Sequence, residues 1–155
     1  MAIWYQPVSL EEINASAENG AAGHVGIEFI EAGDDYLVAR MPVDHRTRQK
    51  YGILNGGASC LLAESLGSHA SSLCLDSGRQ YCVGLDINAN HIRSVSEGWV
   101  HGTTRPIHLG RSTHVWEILI RDQRDRLVCI SRLTMMIKDH EASPAHQGTQ
   151  GAGFE

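Results

Sequence analysis

Glu64 stands two helical turns beyond the triplet Asn55-Gly56-Gly57, in a stretch built otherwise of apolar and small residues. An isolated ionised carboxylate in such a setting is costly, so it has a partner or a task. Two glycines opening a helix leave bare backbone N–H groups pointing outward, with the positive end of the helix dipole behind them. An electrophilic pocket and a carboxylate two turns along together suggest acyl chemistry. Taken singly, each feature has a plainer meaning: Asn-Gly-Gly is also a turn and cap, and a helix-surface Glu is also a solvated charge.

The elements that must position these groups are legible in outline. Ser9-Leu10-Glu11-Glu12 has the form of a capping box, so a short helix to about Glu18 is expected, ended by Gly20 and Gly23. Val25–Glu31 and Tyr36–Val43 read as strands joined by the turn Ala32-Gly33-Asp34-Asp35. Val43 to Leu54 is polar and aperiodic and reads as a loop. Ala58 to Leu75 carries the long helical pattern, with Ala63, Gly67, Ala70 and Cys74 on one stripe whose small size lets another backbone come close. Strands follow at about Cys82–His91, Trp99–Ile107, Thr113–Arg121 and Arg126–Lys138. This order gives an α+β domain in which an antiparallel sheet wraps one central helix. A curved sheet covers one side of such a helix well, so a second copy is expected to bury the other.

Composition narrows the field. With 155 residues, 42% apolar and 20% charged, the chain has the make-up of one globular domain. We expect a domain over residues 1–138 and a disordered tail over 139–155, where Ser, Pro, Gly, Gln and His take over. The net charge of −5 falls largely on that tail, leaving a body of 13 basic and 15 acidic side chains with no basic stripe. Nucleic acid is therefore not an expected partner. No apolar run is long enough for a membrane span and Met1–Pro7 lacks a signal core, so a cytoplasmic location is expected. The cysteines Cys60, Cys74, Cys82 and Cys129 show no metal spacing and read as buried thiols. No serine sits in a Gly-x-Ser-x-Gly frame.

The runs Met41-Pro42-Val43-Asp44, Gln49, Gly52-Ile53-Leu54-Asn55-Gly56-Gly57-Ala58-Ser59 and Leu62-Ala63-Glu64-Ser65-Leu66-Gly67-Ser68 resemble the hotdog-fold acyl-CoA thioesterases. Val83-Gly84-Leu85-Asp86-Ile87-Asn88-Ala89-Asn90-His91-Ile92-Arg93-Ser94 and His108-Leu109-Gly110-Arg111-Ser112 extend the match, which covers about residues 3–138. The branch resembled contains the 1,4-dihydroxy-2-naphthoyl-CoA and enterobactin-pathway proofreading thioesterases, related to the 4-hydroxybenzoyl-CoA thioesterase that uses Glu.

The resemblance implies Glu64 as nucleophile or general base and the Gly57 N–H as the donor that polarises the thioester carbonyl. Gln49 and Asn55 would position the acyl group, and Ser68 would contact Glu64 or water. Coenzyme A, part of the substrate and not a cofactor, would meet Gly84, His91, Arg93, Ser94, Gly110, Arg111 and Ser112. Tyr51 and Phe29 are candidates for the acyl pocket. An acyl-carrier protein is an alternative thioester donor. The resemblance also implies a homodimer with Gly57 from one chain and Glu64 from the other, and dimers paired into a homotetramer. No metal or redox cofactor is implied.

The chain departs from the branch at Asn55, where the branch has His. Asn donates a hydrogen bond and caps a helix well, but it carries no proton. A hotdog hydratase or dehydratase would need a His paired with the carboxylate, and a non-catalytic acyl-CoA sensor would retain the pocket without turnover. Aryl groups of hydroxybenzoyl or hydroxynaphthoyl type are the favoured acyl groups, followed by medium chains.

Overall fold

The computed structural model describes residues 1–141. Of the tail expected to be disordered over 139–155, residues 142–155 lie outside them. The elements run α1 (Leu10–Ala17), α2 (Ala21–His24), β1 (Glu28–Ala32), β2 (Leu37–Pro42), α3 (Gly56–Leu73), β3 (Gln80–His91), β4 (Trp99–Leu109), β5 (Thr113–Asp122) and β6 (Leu127–Asp139). The strands form one antiparallel sheet in the order β1-β2-β4-β5-β6-β3, curved around α3.

Ser9 caps α1 by accepting from the Glu12 N–H at 3.2 Å. The expected stop at Gly20 and Gly23 is replaced by a second short helix, because Gly20 starts a new turn that buries Ala22 and whose carbonyl takes the Ile27 N–H. Gly26 then turns the chain at φ 78°, a left-handed conformation that favours glycine. This delays β1 to Glu28, three residues later than the alternation suggests. At the far end, β6 continues to Asp139, and His140 donates to the Arg79 carbonyl, so the folded domain outlasts residue 138.

The sheet's inward residues alternate along each strand: Leu37, Ala39 and Met41 on β2, Trp116, Ile118 and Ile120 on β5, Cys129, Leu133 and Met135 on β6. They close on Leu62, Ala63, Leu66 and Ala70 of α3. The small-residue stripe does what its size allows. A Cβ on Gly67 would overlap the Leu133 side chain, and one on Gly102 would come within 2.6 Å of Leu66 Cδ1. Toward the end of α3 a polar pin replaces apolar contact. Ser71, fully buried, accepts from Trp116 Nε1 at 2.7 Å and lies 3.2 Å from His114 Nδ1. Indole only donates, so one lone pair of the Ser71 hydroxyl is taken by Trp116 and the remaining hydrogen-bonding capacity of that oxygen faces His114 Nδ1.

Among the described residues, no helix is long and apolar enough to cross a membrane. β3, twelve residues long, is an edge strand and exposes Tyr81, Val83 and Leu85.

Gly67→Val forces a branched side chain into a filled gap and should lower stability by about 1–3 kcal/mol, seen as a lower urea midpoint at unchanged m. His114 supplies a second prediction. Burial, with the charge of His108 adding to it, holds its imidazole below the ordinary value of 6.5. Protonation therefore favours the unfolded chain, and stability present above that pH is lost as the pH falls. The urea midpoint should drop between pH 7.5 and 5, with a shallower slope in His114→Gln.

Candidate active site

Glu64 sits on the flank of α3 that faces the edge strand β3, half-buried. Its Oε1 accepts from the Ser68 hydroxyl at 3.1 Å, and among the described residues it has no cationic partner. Gly84 lies directly beneath: a Cβ there would come within 2.5 Å of Oε1. The strand is bulged between Gly84 and Asp86, opposite Met135 and Thr134, which re-aims the chain next to the carboxylate. Met135 Sδ, 3.8 Å from Ser68 Oγ, and Cys82 Sγ, 3.3 Å from Ser72 Oγ, complete the surroundings. A carboxylate held by one hydroxyl and neutralised by nothing keeps its lone pairs for chemistry.

The thiols do not compete for that role. Cys129 is buried, as expected, while Cys60, Cys74 and Cys82 are half-buried. Burial pushes Cys74 up to about 12 and Cys129 up to about 11. Burial also raises Cys82, with the Glu64 charge adding to the effect. Cys74, Cys82 and Cys129 therefore remain thiols at neutral pH, which are poor nucleophiles.

The start of α3 forms the second group. Loop 43–55 is knit in place by Asn55 N–H on the Thr47 carbonyl (2.8 Å), Leu54 N–H on Val95 (2.7 Å) and Arg48 Nε on Ser96 (2.8 Å). Asn55 is the N-cap: its Oδ1 accepts from the Gly57 N–H at 2.7 Å, and its carbonyl takes Ala58 and Ser59. The Gly57 amide, expected to face a substrate, is thus already engaged. The Gly56 amide, one residue earlier, has no acceptor among the described residues. It opens into a cavity of about 320 Å³ lined by Gln49, Leu54, Gly56, His91, Arg93 and Ser94. The His91 ring packs against Gly56, where a Cβ would approach Nε2 to 2.7 Å. Gln49 Oε1 accepts from the Tyr51 N–H, which fixes the amide and leaves its NH₂ to donate.

One chain therefore assembles three separate groups from the expected residues. Gln49, His91, Arg93 and Ser94 meet at the helix start beside Asn55 and Gly57. Glu64, Ser68 and Gly84 meet elsewhere, since seven residues of helix separate Gly57 from Glu64 by about 10 Å along the axis. Gly110, Arg111 and Ser112 form the β4–β5 turn at the Gln80 end of β3, the end opposite His91. Of the acyl-pocket candidates, Phe29 is 2% exposed in the core and so is excluded, while Tyr51 is 76% exposed. The sequence marked both glycines as bare N–H groups, and the resemblance assigned the donor role to Gly57 and not to Gly56. An Asn N-cap occupies the amide two residues on, so counting donors leaves Gly56 as the free one.

Residues 51–129 match the thioesterase superfamily. The chain is 52% identical over 135 residues to the 1,4-dihydroxy-2-naphthoyl-CoA hydrolase of Escherichia coli, covering 87% of this chain and 98% of that one. It is 47% identical over 135 residues to the proofreading thioesterase EntH of Cronobacter turicensis, with the same coverage. The crystal structure of a mutant of thioesterase PA1618 from Pseudomonas aeruginosa superposes with a TM-score of 0.89 at 48% identity, covering 90% of this chain and all of that one. The chain belongs to the thioesterase superfamily and has its hotdog fold. It is a thioester hydrolase.

Gly84→Ala should push the Glu64 carboxylate off its position. A displacement of about 1 Å at a reacting group is worth about 10²-fold, so steady-state thioester hydrolysis should show kcat down by that order, with the melting temperature retained.

Proposed function

We propose that the protein hydrolyses acyl-CoA thioesters, with aryl groups of hydroxybenzoyl or hydroxynaphthoyl type as preferred substrates and medium-chain acyl groups next. The observation that supports this most directly is the half-buried Glu64 carboxylate, whose one hydrogen bond among the described residues comes from the Ser68 hydroxyl. Glu64 either attacks the thioester carbonyl, expelling the CoA thiolate and forming a mixed anhydride that water then cleaves to the free acid, or takes the proton of a water that attacks the carbonyl directly as the CoA thiolate leaves. The Gly56 N–H, with the NH₂ groups of Gln49 and Asn55, donates to the carbonyl oxygen as it gains charge. One such donor is worth about 2.7–4 kcal/mol of barrier. When Asn55 turns to present its NH₂, the Gly57 amide is released as a further donor. The reaction needs no metal or redox cofactor.

The site is composite in this reading. The free edge of β3 pairs antiparallel with β3 of a second copy, burying Tyr81, Val83 and Leu85 and closing the pair by a two-fold axis. Antiparallel pairing sets the His91 end of one strand against the Gln80 end of the other. It thereby turns one copy's helix start, with Gly56 and Gly57, toward the other's Glu64, and the Gly110-Arg111-Ser112 turn toward His91, Arg93 and Ser94. The outer sheet face bears Val115, Leu119, Ile130 and Met136, an apolar surface suited to joining two dimers into a homotetramer. An acyl-carrier protein is an alternative donor of the thioester.

The test is free-thiol release from a panel of aryl-, medium-chain and short-chain acyl-CoAs. Turnover of the aryl members should fall by about 10²–10⁴-fold in Glu64→Gln. Asn55→His should stay within about tenfold of wild type, since a donor replaces a donor. Acyl-CoA bound and never hydrolysed would make the protein a sensor and overturn the proposal.

A further inference from the structure

Ser59 on α3 is only 1% exposed, yet its hydroxyl has no hydrogen-bond partner among the described residues. A serine inside a helix ordinarily donates to the carbonyl four residues back, as Ser72 does to Ser68 at 3.0 Å. For Ser59 that carbonyl belongs to Asn55, and the N–H groups of Ala58 and Ser59 already occupy it at 3.0 and 3.2 Å. Elsewhere on the helix, Ser68 donates to Glu64 and Ser71 accepts from Trp116. Ser59 instead lines the cavity of about 320 Å³ at the helix start. A buried hydroxyl left unpaired is costly, so one that opens on a cavity is placed to meet a ligand.

Side chains on a helix lean toward its N-terminus and residues three apart share a face, so the Ser59 hydroxyl is directed back toward Gly56. Gly56 has no side chain to cover it, and the His91 ring forms the roof above: a Cβ on Gly56 would come within 2.7 Å of Nε2. Ile53, Leu54, Ile92 and Val128 supply apolar walls. A slender chain fits such a space, and a polar group within it finds Ser59. We propose that Ser59 determines specificity for the leaving group, its hydroxyl hydrogen-bonding the amide nearest the sulfur in the thiol arm of coenzyme A. The inference rests on the acyl-CoA reading above, in which the Gly56 N–H holds the thioester oxygen at one end of this cavity. Three residues of helix, about 4.5 Å, separate Gly56 from Ser59. Two methylenes separate the sulfur from the amide nitrogen, a span of the same order. A hydroxyl both donates and accepts, so it serves either the N–H or the C=O of that amide. Lying away from the reacting carbonyl, the contact binds ground and transition states alike.

The experiment compares two benzoyl thioesters: that of N-acetylcysteamine, which keeps the amide, and that of pentanethiol, which has methylenes in its place. In Ser59→Ala, kcat/KM for the first should fall about fivefold through KM, the size of one lost neutral hydrogen bond, and kcat/KM for the second should stay as in wild type. Benzoyl-CoA should show the loss of the first. The melting temperature should not fall, since the hydroxyl removed has no protein partner. Equal losses on both thioesters, or none on either, overturn the proposal, and so does a lowered melting temperature, which would show the hydroxyl bonded within the fold. A loss seen with 4-hydroxybenzoyl and not with benzoyl thioesters would put the acyl group in this cavity and overturn it as well. If no thioester is hydrolysed the acyl-CoA reading fails, and titration with S-benzylpantetheine, a thioether that carries the same amide, still decides the contact. Wild type should bind it about fivefold tighter than Ser59→Ala, and equal affinities would sink the role of Ser59.

Discussion

The close seating of α3 on the sheet is the constraint on which the other features rest. Gly67 touches the Leu133 side chain with no room for a Cβ, and Ala63 and Ala70 continue the same contact line. At that distance, Leu62 and Leu66 fill the space under β4 and Trp116 reaches Ser71. The helix cannot roll without breaking packing or unpairing the Ser71 hydroxyl. The adjacent flank is therefore fixed in angle as well, and that is the flank bearing Gly57, Glu64 and Ser68. The core thus orients the chemistry: side-chain size on one stripe of α3 determines where a carboxylate on the other stripe points.

Hydrogen-bond accounting does for the helix start what packing does for its middle. Four N–H groups open α3, and Asn55 satisfies three of them, Gly57 through its side chain and Ala58 and Ser59 through its carbonyl. The remaining amide, Gly56, is held at the cavity by a loop whose own backbone is tied at Thr47, Leu54 and Arg48. A donor in this position needs no reorganisation when negative charge develops nearby, which is why fixed amides are effective at developing oxyanions. Asn suits the cap position by accepting there, and its NH₂ retains the donor function that an imidazole would offer.

Much of this was legible in the sequence because it is local. Alternation marked the long strands, Ser9 and Glu12 marked α1, and the run of small residues marked α3, although its true start at Gly56 follows from the Asn55 cap and not from apolar periodicity. The family motifs carried the hotdog fold at once. The helix α2 was hidden because one turn between glycines has no period of its own; burial of Ala22 stabilises it from outside. Contacts that depend on register were likewise closed to inspection. That Gly84, and not a neighbour, lies beneath Glu64 depends on a bulge at the next residue. That Ser94 and Arg124, thirty positions apart, line one cavity depends on the pairing of β3 with β6.

The geometry of one helix is also the physical argument for the proposed assembly. A carbonyl that is attacked on carbon and hydrogen-bonded on oxygen needs its nucleophile and its donor within a few ångströms of each other. Two groups seven residues apart on α3 are separated by about 10 Å, and Ser68 holds Glu64 away from the helix start. A loop could bridge that gap only by giving up the fixed placement that makes either group effective. Two copies of the same rigid face, related by a two-fold axis, meet the requirement without moving anything: each supplies the end the other lacks. In the proposed dimer the long open edge of β3 lies along the margin where the axis runs, so the strand that leaves the sheet unfinished and the helix that leaves the proposed site unfinished would be completed by the same contact.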